Sequence, residues 1–403
     1  MLEREALRAT IARAFGFGMP AGAPRLGLEV EAIPIDARSG KPATVPASWR
    51  ALQALGWTEH RSAKSGVAEL QRPDGARLTF EPGGQIEYSS APHPSGTALL
   101  ADVEGALADI RAALADARCT LLFAGLDPHT LATDVPLQLD AERYRRMDAY
   151  FETIGPSGQR MMRQTASIQL CVDTGADPLA RWRLLAALAP VAAAMFANSP
   201  MDSGAHTGER SRRRRIWAEL DPARTGLRAI GPDPVEEYLE FALAAPAFLL
   251  GRDPRLAAPF AQWIARGATD ADWMEHLSTL FPDVRPRGYF EFRVADAVEG
   301  DALPALIALV AAPAWHQSTG DALVRALPLP NAALMARAGR SGLADGVLAD
   351  AALVSASHAL TACDAIGDRL LDANGIARAR RFFEAYARSG RVPADDALAP
   401  AAA

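Results

Sequence analysis

Five glutamates and one arginine carry the pattern most able to do chemistry. Glu29 and Glu31 lie in LGLEVEAIPI (26–35), and Glu81 and Glu87 in LTFEPGGQIEYSS (78–90). Glu291 and Arg293 lie in GYFEFRV (288–294). A fourth segment, TASIQLCVD (165–173), sets Ser167, Gln169 and Cys171 against Ile168, Leu170 and Val172. All four alternate apolar and polar residues with period two, as strands with one buried face do. On one sheet, the polar faces would gather several like charges, which is costly unless they are protonated or bridged by cations. Hard divalent ions with oxygen ligands, chiefly Mg²⁺, are the natural neutralisers, and Mg²⁺ often brings nucleotide phosphates with it. Arg293, on the face of Glu291, would then meet a transferred phosphate. The plainer alternative is a half-exposed sheet whose outer face is only solvated. The recurrence of glutamate, rather than a mixture of polar residues, weighs against it. The Pro82-Gly83-Gly84 turn suits both readings.

The elements that must position these residues form an α+β protein. Leu99, Leu100, Val103, Leu107, Ile110 and Leu114 recur at the three-to-four spacing of one helix face, and 181–198, 234–249 and 343–366 look similar. The apolar stretches 184–197 and 302–315 contain proline, are too short to span a bilayer, and read as buried helices. No linker cuts the chain, so 1–390 reads as one catalytic domain and 391–403 as a frayed tail.

Composition narrows the class. The 403 residues are 49% hydrophobic and 22% charged, which excludes whole-chain disorder. A net charge of −6 argues against a nucleic-acid binder. Of the 42 basic residues only Lys41 and Lys64 are lysines, so any bound anion must be gripped by guanidinium or backbone N–H groups. Three scattered cysteines (Cys119, Cys171, Cys363) and an N-terminus without an apolar signal core point to a reducing cytoplasm. The GxGxxA match ending at Ala21 precedes a strand rather than following one, and neither a Walker A loop nor HExxH occurs. The run 210–215, rich in arginine, reads as surface charge or as a small-anion site.

The segments LGLEVE, FEPGGQIEYSSAP, ERYRRMDAYFETIGPSGQRMMRQTASIQLCVD, MFANSP, RRRRIWAELDPARTG and FPDVRPRGYFEFRVAD, in that order, resemble the plant-type and actinobacterial glutamate–cysteine ligases, the ergothioneine-pathway branch above all. The resemblance runs from about residue 26 to about 315. It implies a glutamine-synthetase-like catalytic fold: a curved antiparallel sheet with a polar, metal-binding face and helices packed behind. It implies a cytoplasmic ligase with small-molecule substrates and neither nucleic-acid nor membrane partners. ATP and Mg²⁺ would convert the γ-carboxylate of glutamate to γ-glutamyl phosphate, which the amine of cysteine attacks.

Residue by residue, the resemblance makes Glu29, Glu31, Glu81, Glu87 and Glu291 Mg²⁺ ligands, with Glu87 and Arg293 the catalytic pair. Gln169 becomes a substrate or nucleotide contact. Arg213, Trp217 and Arg224, in the R-x-x-x-W…D-x-x-R segment, become substrate-pocket candidates. Arg163 stands one place before Gln164, where the plant branch keeps an arginine, and is carried as a further binding candidate. Phosphate stabilisation would fall to Mg²⁺ and Arg293, with Lys41 and Lys64 as bystanders. Three other readings stay open: a γ-glutamyl ligase for a different amine, a non-catalytic metal- or nucleotide-binding homologue, and a phosphohydrolase.

Overall fold

In the computed structural model, residues 2–19, 22–62, 67–226 and 231–399 are described. Lys64 and Ala21, named above, lie outside them.

The four alternating segments are neighbours in one antiparallel sheet. In chain order its strands are β1 (Leu26–Asp36), β2 (Thr58–Arg61), β3 (Ala68–Gln71), β4 (Arg77–Phe80), β5 (Ile86–Ser89), β6 (Cys119–Leu122) and β7 (Ser167–Asp173). A separate two-residue ladder, β8 (Met201–Asp202) with β9 (Ala205–His206), precedes β10 (Val284–Pro286) and β11 (Tyr289–Asp296), which rejoin the main sheet. The order is β10-β11-β7-β1-β5-β4-β3-β2, with β6 paired to the far half of β1. The segment 78–90 thus divides into two strands around the Pro82-Gly83-Gly84 turn. β2, β3, β6 and β10 carry no alternation strong enough to announce themselves, and β2 is exposed at every position.

Period two sends Leu26, Leu28, Val30, Ile168, Leu170, Val172, Phe290 and Phe292 into the main core, each at most 1% exposed. Against that face pack the helices Gly96–Asp116, Pro178–Met195 and Ala302–Trp315. Ser95 caps the first, accepting from the Ala98 amide, and Asp177 caps the second ahead of Pro178. The stretches read as buried helices are so. Among the described residues one helix, Gly346–Arg369, is long and apolar enough to cross a membrane by length and composition, yet Ala352, Ser355, Ala359 and Cys363 on it are in the core. The helix expected over 234–249 ends at Ala244, because Pro246 cannot continue it.

The tail requires correction. Residues 391–399, read as frayed, carry the short helix Pro393–Ala397. Val392 and Ala394 are buried, Asp395 pairs with Arg210 at 2.6 Å, and Asp396 pairs with Arg391. Two apolar anchors and the ion pair to Arg210 hold to the body a segment whose composition looked featureless.

Over the polar face sits a smaller group of helices, Glu142–Glu152, Pro156–Gln164 and Arg212–Leu220, with Met147, Tyr150, Phe151, Met162, Leu220 and Phe248 at its centre. The functional cavity lies between that group and the sheet.

Candidate active site

Strand pairing builds the site row by row. Glu31 on β1 stands opposite Glu87 on β5, and Glu87 opposite Thr79 on β4. Glu29 stands opposite Ser89 on one side and Gln169 on the other. Cys171 separates Gly27 from Glu291, and Glu291 faces Arg285 across the β10–β11 hairpin. Glu81 follows β4 at the mouth of the turn, where its carbonyl accepts from the Gly84 amide at 2.8 Å. That turn tolerates only glycine: a Cβ on Gly83 would lie 2.0 Å from the Arg163 carbonyl oxygen, and Gly84 has φ +94°. Gln138 holds it in place, donating to the Gly83 carbonyl at 2.6 Å and accepting from the Val45 amide at 2.7 Å.

Glu29, Glu31, Glu81 and Glu87 line one cavity of about 270 Å³. Glu31 accepts from the Ser167 amide at 2.8 Å and from Gln169 Nε2 at 2.9 Å. Glu87 accepts from Ser89 Oγ at 3.0 Å. Enclosure and mutual repulsion raise all four carboxyls: Glu29 to about 8, with Glu87 and Glu291 the main charges against it, and Glu81 well above the ordinary range. Glu31 and Glu87 move the same way, enclosure again being the main cause. Such a ledge is short of positive charge, and carboxylate oxygens are the ligands hard divalent cations prefer. Among the described residues no three acidic groups already converge on a single point.

Glu291 differs. It is fully buried and bonded by Arg285, by Arg287 at 2.9 Å and by Arg293 at 3.3 Å. Burial alone would raise its carboxyl, but Arg285, Arg293 and Arg287 outweigh that and hold it down at about 2. Its neutralisation is complete without a metal, so its surroundings do not fit the ligand role expected of it. Arg293 lies at the cavity, donating to Gln169 Oε1 and Glu291. Burial, with Arg285 nearby, lowers its pKa. Gln169 therefore bridges Arg293 to Glu31.

The other candidates divide. Trp217 lines the cavity, its Nε1–H donating to the Phe281 carbonyl at 3.1 Å. Arg213 reaches the same wall but is 1% exposed. Its guanidinium caps the carbonyls of Arg293, Val294 and Ala295 at 3.1–3.4 Å, where β11 bulges, and stacks on Trp217. Arg224 is not at the cavity: it is sandwiched between Tyr150 and Phe248, paired with Asp221 and bonded to Thr279. Arg163 turns away to Asp148, and Gln164 bonds Arg160 and the Thr130 carbonyl. Helical neighbours decided which way these side chains face, and their local sequence did not show it. The arginine run 210–215 divides: Arg213 and Arg214 are buried, Arg210 and Arg212 half-buried and Arg215 exposed, and each of these five pairs with a carboxylate.

Arg285, Arg287, Arg143 and Arg77 also line the cavity, and the sequence pattern does not single them out. The signal for Arg285 was the Arg-Pro-Arg-Gly turn ahead of β11, which prolines disguised. A second cavity of about 610 Å³ adjoins the first. It is walled by Gly27, Cys171, Gly175, Gly288, Tyr289 and Trp315, and it shares Glu29, Ser89 and Arg77 with the first.

An antiparallel sheet whose carboxylate ledge meets a buried arginine, backed by helices, is the arrangement that the family resemblance implied. The sequence profile of glutamate–cysteine ligase family 2 matches residues 25–401. The chain is 36% identical over 353 residues to a glutamate–cysteine ligase of Mycolicibacterium smegmatis (82% of this chain, 78% of that one). It is 34% identical over 395 residues to one from Mycobacterium tuberculosis (92% and 85%). A crystal structure of glutamate–cysteine ligase from Francisella tularensis in complex with AMP superposes with TM-score 0.56 at 14% identity, covering 93% of this chain and 84% of that one, a likeness of fold. The chain belongs to glutamate–cysteine ligase family 2, and is thus an ATP-dependent carboxylate–amine ligase.

Proposed function

We propose that this ligase joins the γ-carboxylate of glutamate to the amine of cysteine, consuming ATP and releasing γ-glutamylcysteine, ADP and phosphate. The observation that supports it most is the junction at Gln169, where the carboxylate ledge and Arg293 are tied together on adjoining strands beside one cavity. The larger cavity, with Tyr289, Trp315 and glycine backbone on its walls, suits the nucleoside. The smaller one, with its arginines, Trp217 and Phe281, suits the amino acids.

Glu29, Glu31, Glu81 and Glu87 would hold Mg²⁺, which when bound neutralises the ledge and the charge building on the transferring phosphoryl group. The γ-carboxylate oxygen of glutamate attacks the terminal phosphorus of ATP, and ADP leaves. Arg293 stabilises the negative charge on the transferring oxygens and then on the acyl phosphate, where its pre-set position saves reorganisation. Glu291 and Gln169 hold that guanidinium, and Arg213 fixes the backbone that carries it. The neutral cysteine amine then attacks the acyl carbon, the bond from that carbon to the phosphate oxygen breaks, and the proton shed by nitrogen passes to the departing phosphate or to water. A good leaving group makes a strong general base unnecessary.

The test is ADP release with ATP, Mg²⁺ and glutamate across cysteine, other amino acids and small amines. Release greatest with cysteine is expected. Equal or better turnover with another amine would replace cysteine as acceptor, and no turnover with any amine would defeat the reading.

A further inference from the structure

Three side chains line both cavities: Glu29, Ser89 and Arg77. Arg77 opens β4, and period two sets it on the face of Thr79. In the ladder it stands opposite Ser89, which stands opposite Glu29. The neighbouring arginines are already engaged. Arg285 and Arg287 hold Glu291, Arg293 holds Gln169 and Glu291, Arg213 caps β11, and Arg143 donates to the Ser278 carbonyl at 3.2 Å. Arg77 is exposed, and its side chain has neither a hydrogen bond nor an ion pair among the described residues.

A free guanidinium beside four carboxylates, yet paired with none of them, is available to an incoming anion. We propose that Arg77 binds the polyphosphate of the nucleotide where it passes from the larger cavity onto the glutamate ledge. The inference rests on the assignment of the nucleoside to the larger cavity. A triphosphate entering there brings several negative charges toward a ledge that is itself acidic. Its terminal end would be neutralised by the Mg²⁺ that the ledge carboxylates would hold. The phosphates nearer the nucleoside need a cation at the junction, where a planar guanidinium pairs with two phosphate oxygens at once. With lysine almost absent from the chain, that duty falls to an arginine, and Arg77 is the one at the junction with its donors unoccupied.

The test titrates ATP, ADP and AMP calorimetrically into the wild-type protein and into Arg77→Ala and Arg77→Lys, with Mg²⁺ and without glutamate. Arg77→Ala should weaken ATP and ADP by about ten-fold, the size of one lost charge-assisted contact. AMP should change by less than about two-fold, and Arg77→Lys should recover part of the loss. In turnover the KM for ATP should rise while that for glutamate stays put. Equal weakening of all three nucleotides, unchanged ATP binding, or a rise confined to the glutamate KM would each overturn the assignment. A wild-type protein that neither binds ATP nor forms product would instead defeat the function proposed above, so the two failures are distinguishable.

Discussion

Glu29 and Glu291 stand two strands apart on one face of the sheet, with Gln169 and Cys171 between them, and their surroundings drive them in opposite directions. Glu29 sits among carboxylates and is pushed up to about 8; Glu291 sits among three arginines and is held at about 2. The same residue type, on the same kind of strand, therefore does two jobs. In the mechanism proposed above one meets its cation on binding Mg²⁺, whereas the other already has its cations in place and holds Arg293. The Mg²⁺ set we propose is therefore Glu29, Glu31, Glu81 and Glu87, while Glu291 is bonded by Arg285, Arg287 and Arg293.

That division is open to breakage. Glu87→Gln, at the centre of the acidic ledge, should lower kcat by roughly 10³ while the melting temperature holds or rises, since a repulsive charge is removed. Steady-state ADP release and a thermal melt check both halves, and near-normal turnover would end its role. Arg293→Ala should cost about 10² in kcat on a folded protein; a rate close to wild type would remove it from the mechanism. The sharpest comparison sets Glu29→Gln against Glu291→Gln. The first should raise the Mg²⁺ concentration for half-maximal activity by about ten-fold without loss of stability. The second should leave that concentration unchanged but lose roughly 2 kcal/mol of unfolding free energy, because buried arginines lose their carboxylate. If both shift the Mg²⁺ requirement alike, the two acids are not different in kind.

The smallest effect is in pH. For Glu29 the folded protein binds its proton more tightly than the unfolded chain, so in EDTA stability should fall as pH rises from about 4.5 through about 8. Saturating Mg²⁺ should flatten that fall, since the metal replaces the proton. Glu291 has the opposite sign: its contribution is complete above about 4.5 and is lost as pH drops toward about 2. Melts in EDTA and in Mg²⁺ across this range would show either two slopes or one.

How much of this was legible in the sequence depends on whether the information was local. Alternation is local, so β1, β5, β7 and β11 were readable, together with the inward or outward sense of Glu29, Glu31, Glu87 and Gln169. That these strands are neighbours was an inference from shared chemistry, and the register of Glu31 with Glu87 bears it out. Strand β2, with the sequence Thr-Glu-His-Arg, has no apolar face to read. Arg224 and Arg163 sat in motifs that read as binding segments, but helix packing turned their side chains onto Asp221 and Asp148. Arg285 owes its place to a hairpin pairing with Glu291, and Pro286 directly after it does not suggest a strand. Gln138 reaches the Gly83-Gly84 turn from far along the chain, a contact no local pattern encodes.

The run of eight strands also has to stop somewhere, and how it stops has a consequence of its own. At one end β10 is three residues long and finishes on Pro286, which has no amide hydrogen to offer a neighbour. At the other, β2 presents Glu59, His60 and Arg61 to water. Both margins are poor templates for a further strand, which is how natural sheets discourage edge-to-edge polymerisation. The hazard of a broad array of backbone donors and acceptors is thus kept low at its borders, and a substitution such as Glu59→Val together with Arg61→Val should make the chain form aggregates rich in intermolecular β-structure while leaving the carboxylate ledge untouched.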